Sequence, residues 1–121
     1  MASLNKALLI GNVGQDPELR YTPDQTPVTN FSIAVNYRRK TNGQSQDETE
    51  WFNIICFSKI AENVNQYLTK GQRVYVEGRF QSREYEDQDG TKRKVYEIIA
   101  GDVKFLNTKA EAESMNPKQG A

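Results

Sequence analysis

The chain has 121 residues, 36% of them hydrophobic. That suits a single domain with its own core, since folding at this size removes roughly two-thirds of the unfolded surface from water. The 16 basic and 16 acidic residues cancel, which counts against a nucleic-acid binder working by bulk attraction and leaves room for one that groups its cations on one face. With no histidine and one cysteine, Cys56, the chain has no means for a zinc site, an internal disulfide or histidine-based acid–base catalysis, and no cofactor is called for. No apolar run approaches the ~20 residues of a membrane span. The opening residues lack a basic region followed by a long apolar stretch. A reducing cytoplasm is the default compartment.

Five apolar stretches alternate with turn signals. The first strand is expected over residues 4–13, around Ala7-Leu8-Leu9-Ile10, with Gly11 and Gly14 bending it and Pro17 following. Thr22-Pro23-Asp24-Gln25-Thr26-Pro27 is turn chemistry. The second strand covers 28–36, where Phe31, Ile33 and Val35 alternate with polar or small residues at a period of two. Residues 38–48 are polar, contain Asn42-Gly43, and read as a long hairpin loop. The third strand, 50–57, is unusual because both parities are apolar: Phe52, Ile54 and Cys56 on one, Trp51, Ile55 and Phe57 on the other. A half-buried strand should present one polar face, so the second face is expected to meet something other than water. Cys56 inside this run is expected to be a buried, inert thiol.

Residues 58–70 carry Ile60, Val64, Tyr67 and Leu68 on one helical stripe. Ser58 suits the N-cap and Gly71 the position just past the end. The fourth strand covers 73–86, with Val74, Val76 and Phe80 on one parity and Gly78 marking a bend or bulge. Asp87-Gln88-Asp89-Gly90 is a hairpin turn. The fifth strand covers 92–106, with Gly101 as a second bend. Residues 108–121 have little large apolar content and are expected to form a short disordered tail behind a domain of residues 1–107. Three strands, one helix and two strands, with bend points inside the long strands, suit an all-β OB-fold: a five-stranded Greek-key barrel with its helix between strands three and four.

Catalytic signatures are missing. Gly11-Asn12-Val13-Gly14 follows a strand, but no Gly-Lys-Ser/Thr succeeds it, so it reads as strand-bending glycines. Glu84, Glu86, Asp87 and Asp89 lack the full ligand series of a calcium loop and read as a solvated hairpin tip. The informative pattern is aromatics interleaved with cations: Tyr37-Arg38-Arg39-Lys40, Trp51, Phe57 beside Lys59, Arg83-Glu84-Tyr85 and Lys92-Arg93-Lys94-Val95-Tyr96. Flat aromatics grip unpaired bases without reading sequence, and cations between them contact phosphates. A duplex would hide the base faces. Parity leaves Trp51 and Phe57 open to either core or surface, and strict alternation would turn Tyr37 inward. Tyr85 lies far from the apolar cluster of its strand and is expected outside.

Asn5-Lys6 with Leu8-Leu9-Ile10-Gly11-Asn12-Val13-Gly14-Gln15-Asp16-Pro17-Glu18-Leu19-Arg20-Tyr21, the block Thr49 to Glu62 and the block Tyr67 to Gly78 together resemble bacterial single-stranded DNA-binding proteins, in order and over nearly all of residues 4–106. The resemblance implies an OB-fold assembled as a homotetramer that coats single-stranded DNA during replication, repair and recombination, with no enzymatic step. It assigns base stacking to Trp51 and Phe57 directly, to Tyr85 where relatives often carry tryptophan, and more loosely to Tyr37. It places Lys6, Arg20, Lys59, Lys70 and Arg83 near the DNA path, and Arg38 is a further cationic candidate from the aromatic–cation pattern. Glu84 departs from an often basic position. Many relatives end in a linker with an acidic tip that recruits replication and repair proteins; this sequence stops at Pro117-Lys118-Gln119-Gly120-Ala121, so recruitment through such a tip is not expected. The rival readings are a primosomal-type OB-fold adaptor that binds proteins and an RNA-binding module of the cold-shock type.

Overall fold

A computed structural model describes residues 2–106; the expected tail at 108–121 lies outside them. Six strands and one helix follow in the order β1 (Ala7–Val13), β2 (Glu18–Tyr21), β3 (Pro27–Thr41), β4 (Gln44–Phe57), α1 (Ser58–Tyr67), β5 (Arg73–Glu86) and β6 (Lys92–Phe105). The sheet order is β1-β5-β6-β4-β3-β2, and β1 also pairs with β3. That last pairing closes β1, β5, β6, β4 and β3 into a five-stranded barrel, with β2 flanking β3. All contacts between barrel strands are antiparallel except β4 with β6.

The inward parity of each strand makes the core. Phe31 and Ile33 of β3, Ile54 and Cys56 of β4, Val74 and Val76 of β5 and Ile98 of β6 are buried, and Ala61, Val64 and Leu68 close one end from the helix side. Full burial of each such Val, Leu, Ile or Phe contributes about 1.5–3 kcal/mol. The Thr29 hydroxyl donates to the carbonyl of Ala61 at 2.7 Å and ties the helix to β3 inside this core.

Barrel closure needs sharp local curvature, and β5 and β6 supply it. Their register slips between Glu77 and Gly78: Glu77 faces Asp102, whereas Gly78 faces Ala100, which leaves Gly101 as the extra residue. A Cβ on Gly78 would lie 2.1 Å from the carbonyl oxygen of Ile99, so only glycine permits this approach.

Three sequence-level expectations are corrected. Residues 38–48 are not a long loop: β3 and β4 stay paired out to Thr41 and Gln44. Asn42 and Gly43, with φ of 53° and 77°, make the two-residue turn that continues the twist of both strands. The polar composition reflects an arm that projects beyond the core, not an absence of ladder. The helix ends at Tyr67 rather than Lys70, because Leu68 leaves it extended and fully buried; Gly71, at φ 93°, serves the turn into β5. Ser58 is not the N-cap. Strand pairing runs through Phe57, which takes the cap position with no side-chain cap bond, and Ser58 turns the chain at φ 57°.

Candidate nucleic-acid interface

Strand register decides which side chains share a surface. Val28, Asn30, Ser32 and Ala34 of β3 face Phe57, Ile55, Asn53 and Trp51 of β4, all on the parity opposite the core. Ile55 aligns with Ile99 of β6. From there Arg79, Gln81, Arg83 and Tyr85 of β5 face Ile99, Glu97, Val95 and Arg93 of β6. On the other side Arg20 of β2 faces Val28. The outer surface therefore runs from Arg20 across Phe57, Ile55 and Trp51 to Arg83 and Tyr85. Trp51, Phe57 and Tyr85 are 58%, 41% and 46% exposed, large values for aromatic side chains. The second apolar face of β4 is thus not core, and parity alone had left this open for Trp51 and Phe57.

Tyr37 behaves differently. It shares the parity of Phe31 and Ile33, but it lies past the barrel on the β3–β4 arm and is exposed. Its hydroxyl donates to Glu48 Oε2 at 2.8 Å, and that bond raises the phenol's pKa above its usual value. Register does not bring Tyr37 to the face of the other three aromatics.

A groove of about 180 Å³ has a lining that includes Gln15, Asn30, Asn53, Arg83, Val95 and Glu97. Asn30 Oδ1 is buried here without a protein partner. Arg83 crosses the groove side-on: its Nε donates to Glu97 Oε1 at 3.1 Å and its Nη2 to Glu97 Oε2 at 3.3 Å. The Glu97 side chain is only 8% exposed, so Arg83 is its compensating charge, and the pair raises the pKa of the guanidinium further. This two-point contact fixes the guanidinium plane and leaves Nη1 for another acceptor.

The other candidate cations are also largely partnered. Lys6 pairs with Glu77 at 3.1 Å, Arg20 with Glu18 at 3.2 Å and Arg38 with Asp47 at 3.1 Å. Among the described residues no such ion pair involves the ammonium groups of Lys59 and Lys70; the Lys70 amide donates to Asp16 Oδ1 at 2.9 Å. For Lys6, Arg38 and Arg83 the partner comes from another strand, so the pairing depends on register; Arg20 and Glu18 lie two residues apart on β2, a spacing the sequence shows. Sequence reasoning also missed Glu97, whose only sequence signal is a lone acid at the edge of the apolar run Ile98-Ile99-Ala100.

The acidic hairpin tip has a structural use. Asp87 accepts from the amides of Asp89 and Thr91 at 3.1 and 3.0 Å and from Arg93 Nε at 2.8 Å; the arginine bond is the largest cause of its lowered pKa. Among the described residues no group of three or more metal-ligating side chains converges, and no helix is long and apolar enough to cross a membrane.

Comparison with known proteins returns a consistent set. The model of the Single-strand binding protein family matches residues 4–106. The chain is 48% identical over 110 residues to a single-stranded DNA-binding protein of Neisseria meningitidis serogroup B, covering 90% of this chain and 63% of that protein. It therefore spans a little under two-thirds of the length of that relative. Single-stranded DNA-binding protein 1 of Xylella fastidiosa is 42% identical over 113 residues, or 92% of this chain and 83% of the relative. A solved structure described as a Plasmodium falciparum SSB complex with ssDNA superposes with a TM-score of 0.81 at 32% identity, covering 88% of this chain and 98% of that one.

Proposed function

The chain belongs to the single-strand binding protein family, and from that premise we propose that it binds single-stranded DNA without regard to base sequence and without catalysing a reaction. The observation that carries this reading is the exposed outer-face row of Trp51, Phe57 and Tyr85, set by register on one continuous surface. Each base stacked on such a ring contributes roughly 1–3 kcal/mol whatever its identity. Tyr37, on the arm and the other parity, contributes less. Arg83, Arg20 and Arg38 share the outer face of the three stacking rings, and Lys59 follows Phe57 directly. Together with Lys6 and Lys70 they track phosphates. The DNA-binding unit is residues 1–107, acting in the cytoplasm on strands exposed by replication, repair and recombination.

Stacking, not charge, dominates in this reading. Six independent phosphate contacts would give a salt slope of about −4 for a single strand. Four of the six cations, each itself solvent-exposed, also face carboxylates, which weakens their phosphate contacts without removing them, so a slope shallower than about −4 is expected. The test is a titration with oligo(dT), read by the emission of Trp51, the one tryptophan of the chain, at low and high salt. Saturable quenching that persists in high salt is expected. Absence of both quenching and binding would reject the reading and favour the protein-binding adaptor.

The same reading includes a homotetramer. Leu8 and Ile10 are more than half exposed on β1 beside the partly buried Tyr75, an apolar surface suited to a second copy. Light scattering should give four times the 13.8 kDa chain mass; a 13.8 kDa particle at micromolar concentration would reject the assembly and leave the DNA-binding claim standing.

A further inference from the structure

The motif Gly11-Asn12-Val13-Gly14 reads from sequence as glycines that bend a strand. Gly14 has a more specific environment. Its amide donates to the carbonyl of Ser32 at 2.9 Å, which anchors it beside β3. A Cβ built on it would lie 2.3 Å from Cζ3 and 2.8 Å from Cη2 of Trp51. Those atoms form the outer edge of the indole's six-membered ring, so this edge abuts Gly14. The residues along the way are small: Ala34 stands opposite Trp51, and the Ser32 hydroxyl lies 3.3 Å from the same Cβ position. Backbone conformation does not demand glycine here, since the glycines with positive φ are Gly43, Gly71 and Gly90. The demand comes from the ring.

We propose that Gly14 is a positioning residue for DNA binding: it seats the Cζ3–Cη2 edge of the Trp51 indole against the end of β1 and so holds the ring in one orientation for a base. This rests on the reading of Trp51 as a stacking residue. A side chain already held in its bound orientation loses less freedom when it engages a ligand, which is worth about twofold to tenfold in affinity for one such side chain. An alanine methyl at Gly14 lifts the ring off its seat while leaving the ladder and the core in place.

The experiment compares wild type, Gly14→Ala, Trp51→Ala and the double variant. Time-resolved anisotropy of Trp51 in the free protein should show faster local motion in Gly14→Ala. Its oligo(dT) affinity should fall about twofold to tenfold, and in the Trp51→Ala background the same change should have no further effect. Unchanged anisotropy and affinity would overturn the proposal, as would an equal loss in both backgrounds, which would mean a general backbone role. If Trp51→Ala itself binds as wild type does, the stacking reading fails, and unaltered seating in the anisotropy data distinguishes that outcome. Should Gly14→Ala alone not fold, Trp51→Phe, which removes the clashing atoms, is expected to restore folding in the pair; failure of that rescue would count against the seat.

Discussion

The two faces of β4 are similar in sequence character and opposite in fate. Phe52, Ile54 and Cys56 turn inward, and the last two have no exposed surface. Trp51, Ile55 and Phe57 are as apolar, yet two of them stand in solvent on a surface edged by Arg20 and Arg83. Hydrophobicity does not separate these sets; position relative to the closed barrel does. A core residue is surrounded by its own chain. A residue on the outer wall can gain comparable contact only from another molecule, and a row of flat rings suits nucleobases.

The comparison can be tested from the inside first. Ile54→Ala should lower unfolding free energy by about 2–5 kcal/mol, measured by urea denaturation, because the closed barrel cannot collapse around the cavity. Oligo(dT) affinity should be unchanged while the protein remains folded. Trp51→Ala should do the reverse. Affinity should fall by about 1–3 kcal/mol, alike on every base sequence, with stability within about 0.5 kcal/mol of wild type. A selective loss on one sequence would break the sequence-independent model.

Cys56 offers a pH test of the inner face. Burial raises its thiol pKa from 9.0 to about 12, since the thiolate is poorly solvated there. The unfolded thiol ionises earlier, so this contribution to stability is intact below about pH 9 and is lost as the pH rises toward about 12. Alkylation of Cys56 at neutral pH should therefore track global unfolding; rapid labelling of the folded protein would show that the inner face of β4 opens. The smallest effect is expected at Tyr37→Phe, which deletes the bond to Glu48 on the solvent-exposed arm. Stability and oligo(dT) affinity should each change by less than about 0.5 kcal/mol. A loss matching that of Trp51→Ala would bring the arm into the main DNA path.

Much of this was legible in the chain because it depends on local pattern. Period-two alternation located the long strands, Gly78 and Gly101 marked the bulge that bends them, and the double apolar parity of 51–57 marked a second apolar face, which lies on the outer wall of the barrel. Other features escaped. β2 has four residues and owes its existence to pairing with the edge of β3. The β3–β4 arm looked like a loop because polar composition is shared by loops and by ladders that project beyond the core. The helix end was overrun because Leu68 continues the helical stripe but is drawn off it into the core.

The sequence by itself determined the core-spanning strands and the helix, the inward parity of strands that alternate cleanly, such as β3, and the supply of aromatics and cations, all consequences of side chains alternating along a local backbone. Only the tertiary structure decided which aromatics share a face, that Arg83 is held by Glu97, and that the indole edge of Trp51 abuts Gly14. Those depend on register between strands far apart in the chain, and one residue of slip in a ladder exchanges its two faces.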